Sequence, residues 1–149
     1  RDRLEETIGT LQKRALALTP QPAVHRNPDN KLADALRDAI VCGSVREEED
    51  VLNAEGATFP VENKASVIFI REFYDLFYKH FREVIMQDDT EPGVIFHGPP
   101  GVGKSHMAMF FLYKLLRDGV TVVYEKVLAD KVFVYPPTGE CRVLSGKAN

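Results

Sequence analysis

The chain has 149 residues, the usual size of one domain. Hydrophobic residues make up 44% and charged residues 28%, a soluble globular balance that can bury a core without metal or disulfide staples. The formal net charge of -3 gives no direct sign of nucleic-acid binding, no run approaches the ~20 apolar residues of a membrane span, and no signal peptide is visible. Cys42 and Cys141 lie far apart and form neither a disulfide framework nor a zinc pattern; both read as small apolar residues. The first residue is Arg1 rather than Met, which reads as a fragment or a processed form.

Residues 2–18 read as a helix, because Leu4, Ile8, Leu11, Ala15 and Leu18 fall on one stripe while Glu5, Glu6, Lys13 and Arg14 lie off it. The stripe is too short to claim a coiled-coil seam, and it suits an amphipathic helix docked on its own domain. Thr19-Pro20-Gln21-Pro22 breaks this helix, and the polar stretch to Asn30 reads as a linker. A second helix is expected from about Lys31 to Cys42, with Leu32, Leu36, Ala39 and Ile40 inward and Gly43 as its stop. Arg46–Asp50 is a charge run and reads as a solvated face.

From Ser66 to Met86 a stronger helix is expected, with Phe69, Phe73, Leu76, Phe77, Phe81, Val84 and Ile85 at helical spacing. Asp75 and Lys79 add a favourable i,i+4 pair. Aromatic residues at such spacing read as core rather than as a base-stacking surface. After the polar turn 88–93 comes Val94-Ile95-Phe96, a continuous apolar run that suits a strand buried on both faces of a parallel sheet. Gly98–Ser105 follows, then a mostly apolar helix from Ser105 to about Arg117, then Thr121-Val122-Val123-Tyr124 as a strand. This order predicts one right-handed βαβ unit. Val132–Tyr135 and Arg142–Leu144 flank Pro136-Pro137-Thr138-Gly139 and read as a hairpin.

The segment Gly98-Pro99-Pro100-Gly101-Val102-Gly103-Lys104-Ser105 matches the phosphate-binding pattern G-x-x-x-x-G-K-[ST]. Its glycines allow close backbone approach to phosphate, and its N–H groups can form an anion nest at a helix N-terminus. Lys104 is placed to reach the β- and γ-phosphates, the Ser105 hydroxyl to ligate Mg²⁺, and the His106 backbone N–H to face the α-phosphate. The His106 imidazole and His97 are assigned no chemistry. Average composition yields the four fixed positions by accident in roughly half a per cent of chains this long, so the match favours nucleoside triphosphate binding, with ATP and Mg²⁺ as the expected ligands. Hydrolysis also needs an acidic residue on a later strand to hold Mg²⁺. Glu125 ends an apolar run but lies on the strand directly after the loop's helix, and Asp130 is no better placed, so no catalytic residue is assigned. The acid is expected from residues beyond Asn149.

The expected fold is therefore α/β: an incomplete P-loop NTPase core, βαβ with parallel strands plus a β-hairpin, preceded by N-terminal helices. Residues 1–59 form the helical region with a linker near 19–30, and residues 60–149 form the N-terminal part of a truncated P-loop domain.

Three features occur in a fixed order: Ile70-Arg71-Glu72-Phe73-Tyr74 in a helix, then the Gly-rich loop, then Val122-Val123-Tyr124-Glu125 passing at once into a hairpin. Over about residues 60–145 this order resembles the P-loop domain of the Crinkler effectors of oomycetes and fungi and of the related retrotransposon hot spot proteins. The resemblance implies an ATPase module, often coupled to a nuclease-like domain. For the Crinkler branch it also implies secretion and delivery to a host cell, frequently to the nucleus, where a host protein could be the partner. Pro99 stands where that family often has Thr. Pro99-Pro100-Gly101 is also similar to the loop of AAA+ ATPases, and a non-hydrolysing, nucleotide-responsive interaction module is a further alternative. Base preference and oligomeric state are not legible in the residues.

Overall fold

The computed structural model describes residues 27–61, 63–85, 93–126 and 129–145. The helix expected at 2–18 and most of the expected linker lie outside these residues. The described chain is mixed α/β, with three helices and two small antiparallel sheets.

Helix α1 spans Pro28–Val41. The Asn27 side chain accepts from the Asp29 N–H, and Pro28 takes the first position, where no helical N–H bond is lost. The helix ends where Gly43 adopts φ 82. Ala33, Leu36 and Ile40 are buried, as helical spacing requires, whereas Leu32 is exposed rather than inward. Asn30, Asp34 and Arg37 of this helix hold the last described strand and the loop that leads into it. Asn30 Oδ1 accepts from the Val143 N–H, Asp34 Oδ1 from the Cys141 N–H, and Arg37 donates to the carbonyls of Gly139 and Pro136. A helix thus satisfies a sheet edge that would otherwise present unpaired backbone.

Three strands follow: β1 Val45–Glu48, β2 Val51–Ala54 and β3 Val67–Phe69, paired antiparallel in that order. The charge run Arg46–Asp50 is exposed, as expected, and forms strand and turn, with Glu49 in the left-handed region at φ 46. The helix expected from Ser66 begins later, because Val67-Ile68-Phe69 finds a ladder partner in β2, with Ile68 facing the core. Helix α2 accordingly spans Phe73–Ile85.

Helix α3, Lys104–Arg117, is built almost entirely of residues without β-branching. It ends in a Schellman motif: Val120 N–H donates to the Leu115 carbonyl and Gly119 N–H to that of Leu116, with Gly119 at φ 75. Strands β4 Val122–Lys126, β5 Lys131–Tyr135 and β6 Arg142–Ser145 then form an antiparallel meander, which includes the expected hairpin.

The described residues do not form the expected βαβ unit with parallel strands. Both sheets are antiparallel, and Val94–His97 belongs to no ladder among them, with Ile95 92% exposed. Val122–Lys126 pairs instead with the strand that follows it, residue for residue. The short connection between the two strands makes that antiparallel pairing cheap in loop entropy.

The main core joins α1, α3 and both sheets through Leu36, Ile40, Leu52, Phe59, Ile68, Leu112, Leu116 and Tyr135. A second cluster, Tyr74, Met107, Phe110 and Phe111, ties α2 to α3. No helix among the described residues is long and apolar enough to cross a membrane.

Candidate functional site

Gly98–Ser105 runs from the extended segment into α3, with Pro99, Pro100 and Gly101 exposed and Val102 half-buried. Gly101 at φ 81 and Gly103 at φ 96 occupy conformations that side chains make costly, so the two glycines curl the chain into the helix start. Gly103 is needed for a second reason. A Cβ there would overlap the Tyr74 hydroxyl and lie 3.0 Å from Arg71 Nε. At this glycine the close neighbour is thus another part of the chain, where the sequence suggested only phosphate.

The first backbone bond of α3 runs from the Met107 N–H to the Gly103 carbonyl, at 2.9 Å. The N–H groups of Lys104, Ser105 and His106 therefore have no partner within the helix. No acidic residue stands in the first turn, while Lys114 and Arg117 occupy the last, so the positive end of the helix dipole is left uncompensated. Lys104 folds back over the loop and donates from Nζ to the carbonyls of Gly98 at 2.7 Å and Pro99 at 2.9 Å. This arrangement closes the loop into a ring and holds an exposed ammonium beside it. Ser105 is exposed and His106 half-buried at the same helix start; His97 is exposed on the segment before the loop.

Two residues not singled out for a role by sequence reasoning complete the site. Tyr74, 0% exposed, donates from Oη to the Gly103 carbonyl at 2.7 Å. Arg71, exposed, stands 3.5 Å from the Gly101 carbonyl through one guanidinium nitrogen. Burial pushes the Tyr74 phenol above its ordinary range, with the Arg71 charge acting in the opposite direction, so the hydroxyl remains a donor at neutral pH. A buried tyrosine hydroxyl needs an acceptor, and the Gly103 carbonyl supplies it.

The donor set suits an anion: a lysine ammonium, open N–H groups and a serine hydroxyl. Among the described residues, no three His, Cys, Asp or Glu side chains come together to hold a metal ion. Among the described residues, the Lys104 ammonium bonds to the two loop carbonyls and to no acidic side chain. Glu125 is exposed on β4 and Asp130 sits in the following turn. Comparison with protein-family models, with curated proteins and with solved structures finds no match to this chain.

Proposed function

We propose that Gly98–Ser105 binds the phosphates of a nucleoside triphosphate. The observation that supports this reading is the conjunction of two left-handed glycines, the open N–H groups of Lys104, Ser105 and His106, and the Lys104 ammonium folded onto the loop's own carbonyls. On binding, phosphate oxygens replace those carbonyls as partners of Nζ, and the N–H groups point at the anion. Of the chain's own groups, the Ser105 hydroxyl is the one that would join phosphate oxygens around Mg²⁺. ATP as the ligand and membership of a Crinkler-like effector group, with delivery to a host cell, are part of this proposal and rest on the order of flanking residues. The proposed role is binding; hydrolysis also requires a Mg²⁺-site acid, a role assigned to no residue of this chain.

A second reading, a nucleotide-responsive interaction module, is favoured by Leu76 and Phe77, which are exposed on the same helix that touches the loop through Tyr74.

Lys104→Ala tests the main reading. Its affinity for a fluorescent ATP analogue is expected to fall at least tenfold, about 1.4 kcal/mol, with the fold intact by circular dichroism. Equal affinity in the folded variant and the wild type would refute the assignment.

A further inference from the structure

We infer that Tyr74, with Arg71 beside it, is a positioning residue that sets the direction of the loop's anion-binding N–H groups. The inference rests on the phosphate-binding reading above and adds residues to that site. In a planar trans peptide, a carbonyl and the N–H that follows it point in opposite directions. The Gly103 carbonyl is engaged twice on one side of the loop, by Tyr74 Oη at 2.7 Å and by the Met107 N–H at 2.9 Å. The Lys104 N–H is therefore turned to the other side. The Gly101 carbonyl faces the Arg71 guanidinium, a longer contact at 3.5 Å, which turns the Val102 N–H likewise.

The loop needs such a brace. Glycine passes between conformations at little cost, so the peptide after Gly101 can flip and aim a carbonyl where an anion should sit, and a flip after Gly103 is opposed by the Tyr74 and Met107 bonds to its carbonyl. Tyr74 is itself fixed. Its ring packs edge-on to Phe73 at 5.1 Å and tilted against Phe110 at 5.8 Å, and its N–H bonds to the Arg71 carbonyl at 2.9 Å. Arg71 and Tyr74 are thus locked in one turn at the start of α2. Together they form a strap against Gly103, where the absence of a Cβ admits them.

Inorganic tripolyphosphate serves as the probe, titrated by calorimetry and followed at the backbone amides of Val102 and Lys104 by NMR. Tyr74→Phe keeps the ring and removes the donor. It is expected to bind about fivefold more weakly than wild type, the value of one neutral hydrogen bond, with unchanged circular dichroism. The Lys104 amide response should be diminished, a change that loss of packing alone would not produce in a folded variant. Tyr74→Phe binding as wild type, while Lys104→Ala loses binding, would overturn this inference and leave the phosphate reading standing. Failure of the wild type to bind tripolyphosphate would overturn both. Should Tyr74→Phe not fold, the exposed Arg71→Gln decides: weaker binding with a smaller Val102 amide response supports the strap, and wild-type behaviour refutes it.

Discussion

The two hydrophobic clusters share helix α3 but differ in what they are made of and in what they hold. The main core draws on α1, α3 and both sheets, and its members are largely aliphatic. The second is aromatic, contains four buried residues, and fastens α2 to the start of α3. Only Tyr74 of α2 is buried, while Leu76 and Phe77 remain exposed. The larger cluster therefore carries most of the burial that keeps the chain folded. The smaller one carries less and sits beside the glycine loop. Global stability and loop geometry should accordingly respond to different substitutions, although one helix serves both.

Leu36→Ala tests the first half of that contrast. Leu36 is fully buried at the centre of α1's apolar face. Truncation should cost about 3 kcal/mol through lost burial and a residual cavity. Urea denaturation would measure the loss, and the folded fraction should keep its affinity for a phosphate probe. A parallel loss of affinity would show that the two clusters are not separable. Gly103→Ala probes the other half. The left-handed φ of 96 costs about 1–2 kcal/mol for a residue with a Cβ, and Tyr74 must also move aside. Stability should fall by about 2 kcal/mol, and probe affinity should fall with it. A variant as stable as wild type would show that the loop does not hold this conformation.

The same contrast explains what could be read from residues alone. Helix α1 and the β5–β6 hairpin were legible because their signals are local: a periodic apolar face with a glycine stop, and two β-rich runs around a Pro-Gly turn. The helix after Gly98–Ser105 was legible too, whereas the strand expected before it is not found, since a strand exists only where a partner strand lies, and Val94–His97 has none among the described residues. The first sheet was hidden for two reasons. Arg46–Asp50 is rich in residues poor at forming strands, so it read only as a solvated face and gave no strand signal. The helical spacing of Phe69, Phe73, Leu76 and Phe77 carried the expected helix back over Val67–Phe69. The Tyr74–Gly103 contact joins residues 29 apart in sequence, so no local pattern encodes it.

The rim of the aromatic cluster gives a smaller and pH-dependent test. Tyr78 packs against Phe81, Phe110 and Phe111, and its hydroxyl donates to Asp118 Oδ2 at 3.1 Å, joining α2 to the end of α3. Burial, and then the bond to the Asp118 carboxylate, push its phenol up to about 12 from an ordinary 10.0. Arg82, 3.6 Å from the same carboxylate, acts in the opposite direction. Both leading causes disfavour the phenolate, so the folded state keeps its proton where the unfolded chain releases it. The stabilisation is therefore complete below pH 10 and is lost as the pH rises from about 10 to about 12. Tyr78→Phe cannot ionise. At neutral pH it should lose about 0.5–1 kcal/mol with the hydrogen bond. Above pH 10 the gap from wild type should narrow, because wild type loses a contribution that the variant never had. Melting temperatures of both proteins between pH 8 and 12 would measure this difference, in which the other tyrosines cancel. A gap that stays constant across the window would mean that Asp118 and the surrounding rings do not hold the proton on Tyr78, and that the outer rim is looser than the buried Tyr74 at its centre.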